Sequence, residues 1–189
     1  MASLNFIRWC GLAAIVGGVA YVSLDLLGVL YVYLYSPRSE EDVSPALNYI
    51  EGILLFLLLL GALAAIAGLH ALQRRRYGWA GALASLTAFL GVTLILVGGV
   101  TEILAGPAFE PSLAFLIPGA LVATLGLVAL GAVTIAARAL PWWLGASIIA
   151  GSPPVAILLG SLVGVAWVLV GYALLRTEGI SSEHPSGTR

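Results

Sequence analysis

The sequence predicts an all-α integral membrane protein, a polytopic helical bundle, and three observations carry that prediction. Of the 189 residues, 61% are hydrophobic and only 9% charged, with a mean hydropathy of +1.08, far outside the range of a globular domain in water. Between Glu51 and Arg74 lie about 22 residues without a charge, enough helix to cross a hydrocarbon core of roughly 30 Å. The 23 glycines would weaken helices in water, but in lipid they let backbones approach closely. One bundle is therefore expected over residues 1–176, followed by a polar, disordered tail over 177–189 that holds His184.

The first helix is expected over about Ile7 to Tyr35, interrupted only by Asp25. Its apolar run exceeds a signal-peptide core of up to about 15 residues, so it reads as a retained helix. Ser36 to Pro45 gathers prolines, serines and three consecutive acids, which marks a polar loop. A second helix fills Ala46 to Gln73 and stops at Arg74, Arg75 and Arg76, and a third runs from Gly78 to Leu104. After the loop Gly106 to Ser112, a fourth covers Leu113 to Ala137 and ends at Arg138. Arg8, Arg74, Arg75, Arg76 and Arg138 thus share one end, and Glu40, Glu41, Asp42 and Glu110 the other, with Arg38 the exception. By the positive-inside rule the N-terminus is cytoplasmic. Arginine use without any lysine suggests GC-rich coding, so the expected location is a bacterial cytoplasmic membrane, crossed several times.

The segment Pro141 to Arg176 admits two readings. As one helix of roughly 35 residues it would be about 52 Å long, too long for one span and barely enough for two. Ser152, Pro153 and Pro154 have helix-start chemistry, a serine cap with proline in the first turn, which favours a half-helix and then one span, five spans in all. A weak internal repeat argues instead for three helical hairpins, six spans with the last hairpin short. Trp9-Cys10-Gly11, Trp79-Ala80-Gly81 and Trp143-Leu144-Gly145 open the odd helices, while Gly68, Gly131 and Gly171 precede the arginines that end the even ones. The repeat is given the greater weight, and it puts the C-terminus on the cytoplasmic side.

Several chemistries are excluded at this level. The eight basic residues are all arginine, which removes Schiff-base mechanisms. Cys10 has no second cysteine to pair with, and His70 and His184 are too far apart for zinc-type spacing, so neither cofactor nor metal is expected. No serine or cysteine has a base at a useful spacing, and no phosphate loop or metalloprotease motif occurs, so nothing selects a reaction and the leading reading is non-enzymatic, with a membrane-embedded enzyme using an acid such as Asp25 ranked third. A formal charge of −1 with no basic soluble segment leaves no footprint for nucleic acid.

Intramembrane charge is the best remaining clue, because a carboxylate in hydrocarbon must be protonated, paired or open to water. Counting about 1.5 Å per residue from the basic end, Glu51 and Glu102 lie about 34 Å up and Asp25 about 25 Å up, all in the outer half. With Tyr21, Asn48 and Thr101 beside them, they form a candidate polar pocket for a proton or a cation, and Tyr31, Tyr33 and Tyr35 are available for cation–π contact. The plainer alternative makes Glu51 and Glu102 interfacial, the tyrosines an aromatic belt, and Asp25 a buried polar anchor. His70 is a candidate pH-sensing or relay residue, or simply a polar bond to a neighbour. Arg74, Arg75, Arg76 and Arg138 set topology and can attract lipid headgroups.

Small residues at four-residue spacing, Gly61 with Ala65, Ala64 with Gly68, Gly81 with Ser85, Gly119 with Ala123 and Gly160 with Gly164, are expected at close helix crossings. Pro118, Pro153 and Pro154 mark kinks or helix starts. Short loops and no soluble domain point to an accessory, scaffold or assembly subunit. Its partners would be the lipid bilayer and either another membrane protein or a second copy in a homo-oligomer. The alternative is a small transporter or channel using the outward acidic pocket.

Overall fold

A computed structural model describes residues 4–35, 45–74, 76–105, 111–138, 140–153 and 160–176. Side chains at 32, 34–35, 45–48, 102–105 and 111–112 lie outside that description, as do the acidic loop, Arg75, Pro154 and the tail with His184. The described residues form six helices and no strand: α1 (Leu4–Tyr35), α2 (Pro45–Gln73), α3 (Gly78–Ala105), α4 (Pro111–Ala136), α5 (Trp142–Ala150) and α6 (Leu162–Arg176). The first four each contain a stretch long and apolar enough to cross a membrane: Leu4–Tyr31, Tyr49–Gln73, Gly78–Thr101 and Leu113–Ala136. Pro118 sits inside α4 on an exposed face, where its missing N–H disturbs no neighbouring helix.

Consecutive helices run antiparallel and pack through small residues. On α1, Gly17 meets Gly61 of α2, and Cys10 packs on Gly68. On α3, Gly91 abuts the Ala123 backbone of α4, and Gly126 abuts Ala88, so these two helices share one antiparallel register. A long-range contact joins α1 to α6. Gly11 lies against Gly171 and Gly18 against Gly164, pairs seven residues apart on each helix, so α1 and α6 are antiparallel and Arg8 and Arg176 share an end. A Cβ on Gly18 would stand 2.5 Å from the Gly164 carbonyl oxygen, so only glycine allows this approach. The Gly160/Gly164 pair seen in the sequence is not a helix-surface motif, because Gly160 precedes α6 with φ +47.

The core occupies one half of the bundle. Ile66, Leu69, Leu127, Leu130, Leu144 and Leu174 are fully buried, and all lie towards the arginine-bearing end. Beyond Ala20 on α1, before Leu58 on α2 and before Gly119 on α4, no described residue is buried. The cause is length. With 9 and 15 residues, α5 and α6 rise only about 13 and 22 Å, whereas the 26 to 32 residues of α1 to α4 rise about 40 Å or more. The short pair, joined where Trp167 of α6 covers Gly151, fills the space between the long helices at one end only.

Candidate functional site

Asp25 stands where the short pair stops. The backbone N–H of Ser161 donates to its Oδ2 at 2.9 Å, and the Ser161 hydroxyl donates to the same oxygen. The start of α6 needs such an acceptor, because the first N–H groups of a helix have no partner within it. The Ser161 carbonyl accepts from Val165 at 3.1 Å, which makes Ser161 the residue at the helix boundary. Gly160 completes the seat: a Cβ there would lie 2.9 Å from Oδ2, and its φ of +47 suits glycine. The carboxylate therefore meets the positive end of a helix dipole as well as two donors. That supplies the compensation an acid within so apolar a helix requires.

On its other side Asp25 borders an open groove of about 600 Å³, lined by Leu24, Asp25, Gly28, Val29, Tyr33 and Glu51. Two of the three acids singled out in the sequence, Asp25 and Glu51, thus line one groove on neighbouring helices, α1 and α2. Tyr21 is half-buried one turn below Asp25, and Tyr33 is exposed at the rim. Thr101 is turned inward to its own helix, its hydroxyl donating to the Gly98 carbonyl at 2.7 Å, and it offers the pocket no free donor. The side chains of Glu102, Asn48 and Tyr35 lie outside the described residues. The helix that carries Glu102 packs on α2 and α4, while α1 packs on α2 and α6.

The opposite, basic end holds a second polar group that the sequence only half revealed. The Tyr77 hydroxyl is hydrogen-bonded to His70 Nδ1 and to Ser85 Oγ, each at 3.2 Å. Its ring lies over Gly81, one turn further on, in the space that any side chain there would fill. Gly81 thus serves the turn between α2 and α3, not a helix crossing. Burial pushes the Tyr77 phenol above its ordinary value, and the bond to Ser85 acts the other way. Beneath it, Gln73 is 1% exposed; the Thr134 hydroxyl donates to its Oε1 at 3.4 Å, and its Nε2 has no partner among the described residues. Arg74, Arg76 and Arg138 are exposed around this end.

Sequence reasoning missed Ser161, Tyr77, Gln73 and Thr134. A serine beginning an apolar run was a visible capping signal for Ser161. Nothing local linked it to an acid 136 residues away. Among the described residues, no three His, Cys, Asp or Glu side chains gather as a metal site. No protein-family model matches the chain, and no curated protein or solved structure compared with it matches either.

Proposed function

We propose that this chain is a non-enzymatic accessory or assembly subunit of a membrane, whose packed inner half is a platform and whose open outer half receives a transmembrane segment of another protein. The observation that carries it is the open groove beside Asp25 and Glu51 on the outer halves of α1 and α2, which no described helix fills, with Val29, Leu30, Ile53 and Phe56 exposed on the same two helix halves. Helix association in lipid rests on close packing and interhelical hydrogen bonds. A long apolar helix with one cationic or donor side chain at the level of Glu51 fits that surface by shape and charge. The reading includes three helical hairpins, the third (α5 with α6) too short to cross fully, with both termini cytoplasmic, supported by the antiparallel pairing of α1 with α6, and a bacterial inner-membrane location, supported by arginine placement and composition.

Native mass spectrometry of the chain released gently from its own membrane tests this. A stoichiometric second membrane chain is expected, and Gly28→Trp, which fills the groove, should release it. A lone chain carrying only lipid, or a partner indifferent to Gly28→Trp, would sink the proposal.

The second reading, a small proton or cation transporter, is favoured by one observation: Asp25 and Glu51 line the same groove. Against it stands the use already made of Asp25, whose described oxygen holds the start of α6.

A further inference from the structure

Arg138 is set in a conformation that its side chain does not favour. It closes α4 with φ +47, the only non-glycine residue at positive φ among those described, and its N–H reaches back to the Ile135 carbonyl at 3.2 Å. This is the left-handed position after a helix, where glycine or asparagine is the usual choice. The fold needs the backbone turn, because Pro141 and α5 follow at once, but it does not need arginine there. The guanidinium has no hydrogen bond or ion pair among the described residues and is exposed. Arg176, by contrast, lies over the Tyr172 ring at 4.8 Å. Four residues on, Trp142 opens α5 with 71% of its surface exposed, at the same end of the bundle as the exposed Trp9 and Trp79. Exposed tryptophans at one level suit the membrane–water interface.

We infer that Arg138 and Trp142 form a docking site for an anionic phospholipid of the cytoplasmic leaflet. The guanidinium offers paired donors to the phosphodiester, and the indole packs against the glycerol backbone. Strain retained at an exposed, unpartnered cation indicates that the charge at this position has a use beyond the turn. The inference is independent of whether the outer groove receives a partner.

The test is thermal unfolding of the full chain in dodecyl maltoside micelles, titrated with phosphatidylglycerol or with phosphatidylcholine. Phosphatidylglycerol should raise the Tm of the wild type more than phosphatidylcholine does. Arg138→Gly, relieved of the left-handed strain, should unfold about 2–4 °C higher without lipid, yet lose at least half of the phosphatidylglycerol increment. Arg138→Asn, also at home at positive φ, should behave alike, and Arg76→Gln should keep most of the increment. Soluble glycerol phosphate at the same concentration should give no shift. An unchanged increment in both Arg138 variants, an equal loss in Arg76→Gln, a lower lipid-free Tm in both Arg138 variants, or a full shift with glycerol phosphate would each overturn the inference.

Discussion

Asp25 of α1 holds the first residues of α6, accepting both the backbone N–H of Ser161 at 2.9 Å and its hydroxyl. An acid that reads in the sequence as a lone charge in a long helix is therefore the fastening of the chain's last helix to its first.

Removing that acceptor leaves two donors of Ser161 without a partner in an apolar setting. Asp25→Ala should destabilise the protein by about 1–3 kcal/mol, measured by unfolding in mixed micelles of rising dodecyl sulfate content. Asp25→Asn, which keeps one carbonyl oxygen, should lose less. Hydrogen exchange should rise at Ser161 to Val163 before it rises in α3. Equal stability of Asp25→Ala and the wild type would show that the fastening carries no weight.

The glycine contacts between α1 and α6 make a sharper contrast. Gly18→Ala puts a Cβ 2.5 Å from the Gly164 carbonyl oxygen and forces the helices apart, at about 1–3 kcal/mol. Gly28→Ala, on the same helix, meets nothing within 4 Å and should change stability by no more than about 0.5 kcal/mol. Similar costs at both positions, in the same unfolding assay, would contradict the antiparallel pairing.

How much of this was legible beforehand follows from the range of each signal. The long helices could be read because an uncharged run ended by arginine is a local pattern, and α2 runs to Gln73 as expected. The last segment could not be resolved, because its length fits neither one span nor two and its fastening lies on α1. The small residues were visible, but not the register that sets Gly11 on Gly171 and Gly18 on Gly164. Spacing of seven along two remote helices identifies a pair only once both are placed. Asp25 and Glu51 were singled out by cost, since charge in hydrocarbon always demands an account. Tyr77 was overlooked because a tyrosine beside three arginines reads as interfacial, while its ring is in fact tucked over Gly81 and its hydroxyl shared with His70 and Ser85.

The buried phenol gives a pH dependence of definite sign. Tyr77 is raised in the folded protein, so above about pH 10 the unfolded chain loses its proton first and the native state becomes relatively less stable. Stability contributed by the neutral phenol is present below that pH and is lost as pH rises towards the folded value. Between pH 9 and about 11, the unfolding midpoint of the wild type should fall more steeply than that of Tyr77→Phe. Parallel slopes would mean that the phenol titrates freely.

Cation dependence separates the two functional readings. On the scaffold reading, sodium, potassium and protonated organic amines shift the Tm of wild type and Glu51→Gln alike. A shift abolished in Glu51→Gln would move the balance to transport.

The central claim, that the open outer half of α1 and α2 is a seat for another protein, is tested most directly by site-specific photo-cross-linking in the native membrane. A benzophenone side chain placed at Val29 or Ile53 should give one discrete protein adduct, lost when Gly28→Trp is added. The same probe at Leu86 on α3 or Leu125 on α4, equally exposed but away from the groove, should give only lipid adducts. Lipid adducts at all four positions, or protein adducts of equal yield at all four, would contradict it.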